Sequence, residues 1–330
     1  MCDFNAMARV KVLFHDNCFD GAASAALFSR FYADRIDGSA SFAFVGKHHG
    51  TGDVYPAGSF DGDVNAVVDF RYSSDPKLEW WFDHHVSAFP SAADEAHFRG
   101  HPSPHKFFDP KARSCTKYLA VECAAKFGWD WSKHQELVHW ADIIDGAQFE
   151  SPKAAVELAE PALQLMTWVE NNHDPKLKLR FIDELVTRPL AEIAAAPYVV
   201  DALKPVLAAH QRGIDVVRAR ARYEHGVVSF DVADDGLDAY NKFIPYFLFP
   251  DTHYVVGVSM TPSRAKVSVG SNPWAAQRRT VNIAELCEKY GGGGHPVVGA
   301  VSLPVGEIKK ARQYAAEIAE TLRQAAPKEK

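Results

Sequence analysis

The chain has 330 residues, 47% of them hydrophobic and 24% charged, the balance of a folded globular protein with room for two domains. It contains no run of 18 or more apolar residues, so no membrane-spanning helix is expected. A formal net charge of −6 argues against a protein that grips long duplex DNA, which needs a basic excess, and suits a short or small phosphorylated substrate better.

A short strand is expected at 10–14 and an Ala- and Ser-rich helix at 21–32, joined by the loop His15-Asp16-Asn17-Cys18-Phe19-Asp20. Further strands are expected at 41–45, 64–70 and 78–84. Strands alternating with helices predict an α/β fold with a doubly wound, mostly parallel sheet, in which ligands gather beyond the carboxyl ends of the strands. From Ser114 the pattern turns helical: Ser114 or Thr116 caps a helix that stops at Gly128, and further helices are expected at 134–144, 154–170, 176–195 and 199–223. Past Gly226, strands at 227–230, 254–260, 265–270 and 297–303, helices at 282–290 and from 307, and a glycine run at 291–294 describe a smaller α/β domain with a mixed sheet. The expected divisions are 1–190, a helical linker at 191–226, and 227–330, with a frayed tail at 327–330.

The start, Met1-Cys2-Asp3-Phe4, has no basic stretch leading into an apolar one and does not read as a secretory signal. Cys2, Cys18, Cys115, Cys123 and Cys287 are scattered, with no CxxC pair. Neither a disulfide framework nor a zinc ribbon is indicated, and a reducing cytoplasm is the expected location.

The residues that carry chemistry lie at predicted strand ends. Phe82-Asp83-His84-His85 closes an apolar run with an acid and two adjacent imidazoles. On extended backbone these imidazoles point to opposite faces, so that one can bind a metal while the other faces substrate or a second carboxylate. His48-His49, with no acid before the pair, reads as a chance pair among 15 histidines. Asp69 follows Val67 and Val68; alone it reads equally well as a turn cap. His15 and Asp20 flank the first strand-to-helix turn, and Asp142 and Asp145 close a later helix, with Asp145 the favoured ligand. Oxygen and imidazole donors of this kind suit Mn²⁺ or Mg²⁺. The run Gly291-Gly292-Gly293-Gly294 before His295 reads either as a flexible turn or as an anion-binding nest. A dehydrogenase on a similar sheet fares badly, because the first turn has no GxGxxG loop.

This ordered set, His15…Asp20-Gly21, Asp69, Asp83-His84-His85, Asp145 and the C-terminal Gly-rich segment with His295, resembles the DHH phosphoesterases with a DHH-associated C-terminal domain. That family includes single-strand exonucleases, oligoribonucleases, phosphatases of bisphosphorylated nucleotides, cyclic dinucleotide hydrolases, pyrophosphatases and exopolyphosphatases. The resemblance implies a hydrolase for phosphate esters, acting on short oligonucleotides or nucleotide phosphates through water activated by one or two Mn²⁺ or Mg²⁺ ions. Polyphosphate or another anhydride is the alternative substrate, and a degenerate binding protein the alternative class. It implies metal ligands His15, Asp20, Asp69, His84 and Asp145, with Asp69 bridging. Catalytic roles fall to Asp69, Asp83, His84 and His85. Substrate contacts fall to His85, Arg264, Gly292, Gly293, Gly294 and His295, with Lys266, Ser271, Asn272 and the pair Arg278-Arg279 beside them. A homodimer is compatible with it, a membrane partner is not. Two departures stand out. Cys18 occupies a place where many members carry a first aspartate, leaving His15 and Asp16 to compensate, as in a subgroup with an Asn-Cys-x-Asp-Gly motif. Gly270 stands where an arginine is frequent.

Overall fold

The computed structural model describes residues 7–48, 54–237 and 240–326. Cys2, the Met1–Phe4 start, His49 and the 327–330 tail lie outside them. The chain forms two compact units, Met1–Phe149 with Ala159–Leu203, and Glu150–Leu158 with Lys204–Lys330.

In the first unit the elements run β1 Arg9–His15, α1 Phe19–Arg35, β2 Ser41–Lys47, β3 Val64–Val68, β4 Trp80–Asp83, α2 Ala92–Gly100, β5 Lys106–Phe108, α3 Cys115–Phe127 and α4 Gln135–Asp145. The five strands are all parallel, in the order β2-β1-β3-β4-β5. Both faces of this sheet are covered, which is why its strands read as apolar runs rather than alternating ones. Val10, Val12, Val68, Trp80 and Phe82 pack in one core with α1 and α3, while Leu13, Val67 and Trp81 face a second core with Phe60, Phe70 and Tyr72. Ser114 is the cap of α3, its hydroxyl accepting from Lys117 N, and the helix ends at Gly128 as expected.

The helical stretch is more broken than its periodicity predicts. The expected 154–170 helix is two, α5 Pro152–Glu157, which belongs to the second unit, and α6 Pro161–Asn171. Leu158 takes a left-handed backbone (φ 52) and Pro161 starts the next helix, so no continuous ladder of hydrogen bonds can pass. The 176–195 helix likewise divides into α7 Pro175–Leu185 and α8 Leu190–Ala194 around Pro189. The helix α9 Pro197–Arg220 carries Pro205 in its body, and the two units divide within it at Leu203 and Lys204.

In the second unit α9 is followed by β6 Arg222–Glu224, β7 Val227–Asp231, α10 Ile244–Leu248, β8 Tyr254–Thr261, β9 Arg264–Ser271, α11 Ile283–Glu288, β10 Gly293–His295, β11 Val298–Leu303 and α12 Ile308–Ala325. Its mixed six-stranded sheet has the order β10-β11-β9-β8-β7-β6, with only β7 and β8 parallel. Val256, Val258, Val267 and Val269 pack with Ile318 and Leu322 of α12, and Phe230, Tyr246 and Val255 form a core with Ile214 and Val217 of α9. No helix among the described residues is long and apolar enough to cross a membrane.

The glycine run has a structural reason. A Cβ at Gly292 would stand 2.2 Å from Ala300 O, and one at Gly294 2.2 Å from Val298 O, so β10 can close on β11 only without side chains there. Gly294→Ala is expected to destabilise the second unit by about 1–3 kcal/mol, as overpacking against fixed backbone does, read as a lower midpoint in urea; an unchanged midpoint would contradict the close approach.

Candidate metal centre

Strand register assembles the centre. Phe14 pairs with Val68 and Val68 with Phe82, so the next residues, His15, Asp69 and Asp83, emerge side by side at the carboxyl edge. The strand order reverses between β1 and β3 at this point, the position where open parallel sheets bind ligands. The helix α1 starts against the same edge: a Cβ at Gly21 would lie 2.0 Å from His15 O, so only glycine lets Asp20 come this close.

Asp69 adopts a left-handed backbone (φ 55), which aspartate tolerates better than most residues. It is 1% exposed, and both its carboxylate oxygens are buried with no hydrogen-bond partner among the described residues. What faces them are imidazoles: His84 Nε2 is 3.4 Å from Oδ1 and His15 Nδ1 is 3.5 Å from Oδ2. His84 Nδ1 lies 3.0 Å from Ala112 O, which fixes hydrogen on that nitrogen and turns Nε2 toward Asp145 Oδ2 (3.3 Å) and Asp20 Oδ2 (3.9 Å).

Two donor groups result, His15 with Asp69 and His85, and Asp20 with His84 and Asp145, each with its donor atoms within 4.8 Å of one another. Asp69 contacts His84 as well, and so stands between the groups. Ligand atoms around an octahedral ion with bonds of about 2.1 Å are about 3 Å apart, so only small adjustments separate these sets from coordination. The electrostatics ask for a cation. Burial pushes the Asp20 carboxyl well above its ordinary range, and the fields of Asp69 and Asp145 add to it. Burial and Asp69 push Asp145 up to about 6. Burial opposes charge on His84, yet the Asp69 contact and the fields of Asp20 and Asp69 raise it to about 10. For Asp69, burial is outweighed by its contacts with His15 and His84, which hold the carboxyl below its usual range. A divalent ion fits where these residues otherwise gather protons.

Asp83 is fully buried and serves as a bracket. Its Oδ1 accepts from His84 N (2.8 Å) and His85 N (3.2 Å) and lies 2.7 Å from His85 Nδ1, fixing the backbone of both histidines and the imidazole of His85. Asp20 also anchors a neighbouring helix, since its oxygens accept from Cys115 N (2.7 Å) and Thr116 N (3.0 Å), the first amides of α3. Its carboxylate thus meets two helix N-termini, where negative charge is favoured.

Several expectations change. Asp16 lies outside both donor groups: it is held by Lys178 Nζ and lies 3.3 Å from His48 Nε2. The imidazole of His85 stands beside His15 and Asp69 instead. Cys18 is the residue before α1, outside both donor groups, and burial together with Asp69, Asp20 and Asp145 pushes its thiol well up, so it is neutral. Asp142 is paired with Arg113 Nη2 (2.9 Å) and Lys117 Nζ (2.9 Å), so Asp145 alone of the two faces the centre. Lys178, 8% exposed and bonded to Asp16 and Asn17, carries no signal of its own in the sequence, where it is one charge among several on an amphipathic helix.

In the second unit the candidate substrate contacts divide. His295 is exposed on the edge strand β10, in register with Val298 and, through it, Gly270. Arg264 begins β9 six residues from Gly270, a separation of about 20 Å along a strand, so Arg264 and His295 are not brought together. Lys266 lies between Ser259 and Ser302. Asn272 is buried and donates to Pro250 O and Thr252 O, a structural role, while Ser271 donates to Val297 O beside His295. A side chain at Gly270 would meet the Tyr246 hydroxyl at 2.5 Å, which accounts for glycine at that position. Arg279 donates to Val281 O from an exposed loop shared with Arg278.

Neither a family model nor a curated protein matches the sequence. Solved structures do match the fold. A pGpG-specific phosphodiesterase, PggH of Vibrio cholerae, aligns over 97% of this chain and 100% of its own, with TM-score 0.67 and 19% identity. A protein described as PF0399, DHH domain, member of the s1p family of ribosomal proteins, aligns over 97% and 88%, with TM-score 0.56 and 13% identity. An exonuclease RecJ bound to manganese aligns over 95% and 90%, with TM-score 0.51 and 13% identity. With its parallel sheet, its Asp83-His84-His85 strand end and its mixed C-terminal sheet, this chain has the fold of the DHH-domain proteins.

Proposed function

We propose that the chain is a metal-dependent phosphoesterase that hydrolyses phosphodiester bonds in short oligonucleotides, with a 5′-phosphorylated dinucleotide such as pGpG as the model substrate. The observation that carries this reading is Asp69, a buried carboxylate with both oxygens unsatisfied among the described residues, set between two groups of metal donors. The full-length likeness to a pGpG-specific phosphodiesterase supports the substrate class. Divalent ions bound there, Mn²⁺ or Mg²⁺, supply an activated water and charge compensation for the phosphoryl oxygens.

The chain's own residues would do the rest. Asp69 bridges the two donor groups. Asp20, His84 and Asp145 complete one of them, and His15 and His85 the other. Asp83 holds hydrogen on His85 Nδ1 and so sets the tautomer and tilt of that ring. His295 and the adjacent Gly292–Gly294 backbone are proposed to contact substrate, while Arg264 is left out of that set. The intact donor groups count against a degenerate binding protein.

The test is hydrolysis of pGpG and of linear polyphosphate by chelator-treated protein with and without added Mn²⁺ or Mg²⁺. Conversion of pGpG to mononucleotides only when metal is restored is expected. Orthophosphate release from polyphosphate with pGpG untouched would replace this reading with the anhydride one.

A further inference from the structure

A cleft of about 870 Å³ opens in the first unit, between the end of α1, the start of α4 and the junction of α7 with α8. Its size is that of a small-molecule site. Two helices separate it from the metal centre. Asp20 lies in the first turn of α1 and Arg35 in the last, and the 17 residues of that helix span about 25 Å. Glu136 of α4 lines the cleft, whereas Asp145 ends the same helix at the centre. A small ligand held in the cleft is out of reach of the donor groups.

The charges that line the cleft are unevenly matched. Asp34 takes Arg30 (2.7 Å) and the Trp129 Nε1–H (3.1 Å), Arg188 is paired with Glu184 (3.1 Å), and Glu136 accepts from Leu190 N. Asp130 accepts from Ser132 N (2.9 Å). Arg35 and Lys133 are left without a carboxylate. Arg35 donates through Nε and Nη2 to Phe127 O, a neutral carbonyl, and its Nη1 makes no hydrogen bond among the described residues. Lys133 is exposed and makes no hydrogen bond or ion pair among them. In a chain of net charge −6, two such cations on one cleft are worth explaining. Beside them Trp129 and His134 stack, with ring centroids 5.9 Å apart and planes 27° from parallel. The His134 ring is half-buried and lines the cleft, backed by the buried indole.

We propose that this cleft is a second ligand site that binds a nucleoside monophosphate, with the phosphate on Arg35 and Lys133 and the base against His134. A guanidinium and an ammonium without acid partners suit phosphate oxygens. A bare phosphate would leave most of the volume empty, and the imidazole offers a flat face for a base. No metal donor takes part, so binding there is independent of the ions and of the reaction at the centre.

The experiment titrates GMP, guanosine and inorganic phosphate calorimetrically into the full chain in Mn²⁺, as wild type and as Asp69→Asn, each with and without Lys133→Gln or Arg35→Gln. Asp69→Asn suppresses any GMP held through the ions. One GMP per chain is expected to bind this variant, with an affinity within about threefold of the corresponding wild-type site. Lys133→Gln and Arg35→Gln should each weaken that binding by about 5–30-fold, the effect of losing one charge-assisted bond. Lys133→Gln is the cleaner probe, since Arg35→Gln also gives up the contact with Phe127 O. Guanosine and inorganic phosphate should each bind at least about tenfold more weakly than GMP. GMP binding that vanishes in Asp69→Asn, or that ignores Lys133→Gln and Arg35→Gln, would overturn the cleft as its site. Guanosine or inorganic phosphate binding as tightly as GMP would overturn the nucleotide as its ligand.

Discussion

Asp69→Asn is expected to lower metal-supported turnover by at least about 10³-fold, because compensation by the ions contributes several kcal/mol and each 1.36 kcal/mol is tenfold in rate. Asparagine keeps the shape of the side chain and accepts the left-handed backbone at this position (φ 55), so the fold should survive. The substitution removes the charge that sits between the two donor groups. Added Mn²⁺ should raise the melting temperature of wild type through preferential binding to the folded state, and this rise should vanish in the variant. Asp69→Ala is the poorer probe, since it adds backbone strain to the lost ligand. Turnover above a tenth of wild type, with the Mn²⁺ shift preserved, would remove Asp69 from the centre.

Asp20→Ala should damage the fold as well as the activity. Its carboxylate is wholly buried and accepts from the first two amides of α3, and orphaning two buried N–H groups costs about 2–4 kcal/mol. Asp145 closes α4 and is half-buried, and its carboxylate faces the His84 imidazole rather than the start of a helix. Asp145→Ala should therefore lose turnover at a much smaller stability cost. Urea unfolding of the metal-free proteins separates the two, followed by tryptophan fluorescence, since Trp80, Trp81, Trp129, Trp131, Trp140 and Trp168 all lie in the first unit and only Trp274 in the second. Equal stability of the two variants would show that the Asp20 contacts with α3 carry no weight.

Local patterns are enough to locate the strands of the first sheet and the residues at their ends. A strand covered on both faces must be apolar throughout, so the first polar residue after it marks where the chain leaves the sheet. That is how Asp69 and Asp83 stand out. The stop at Gly128 is legible for a similar reason, since few residues end a helix so cheaply. The short elements are not legible: α2, β5, β6, α10 and β10 span three to nine residues each, too few for a period to emerge. The break at Leu158 escapes notice because leucine gives no local warning of a left-handed backbone.

Chain chemistry alone determines that acids and imidazoles collect at one edge of a parallel sheet, because burial forces them to the strand ends. It does not determine which of them face one another. Asp16 is drawn away by Lys178, 162 positions distant, and Asp142 by Arg113 and Lys117. His85 is turned by Asp83 to stand near His15, and strand length alone separates Arg264 from His295. Those choices depend on partners brought together only by folding, where a charge is won by whichever opposite charge the packing places within reach.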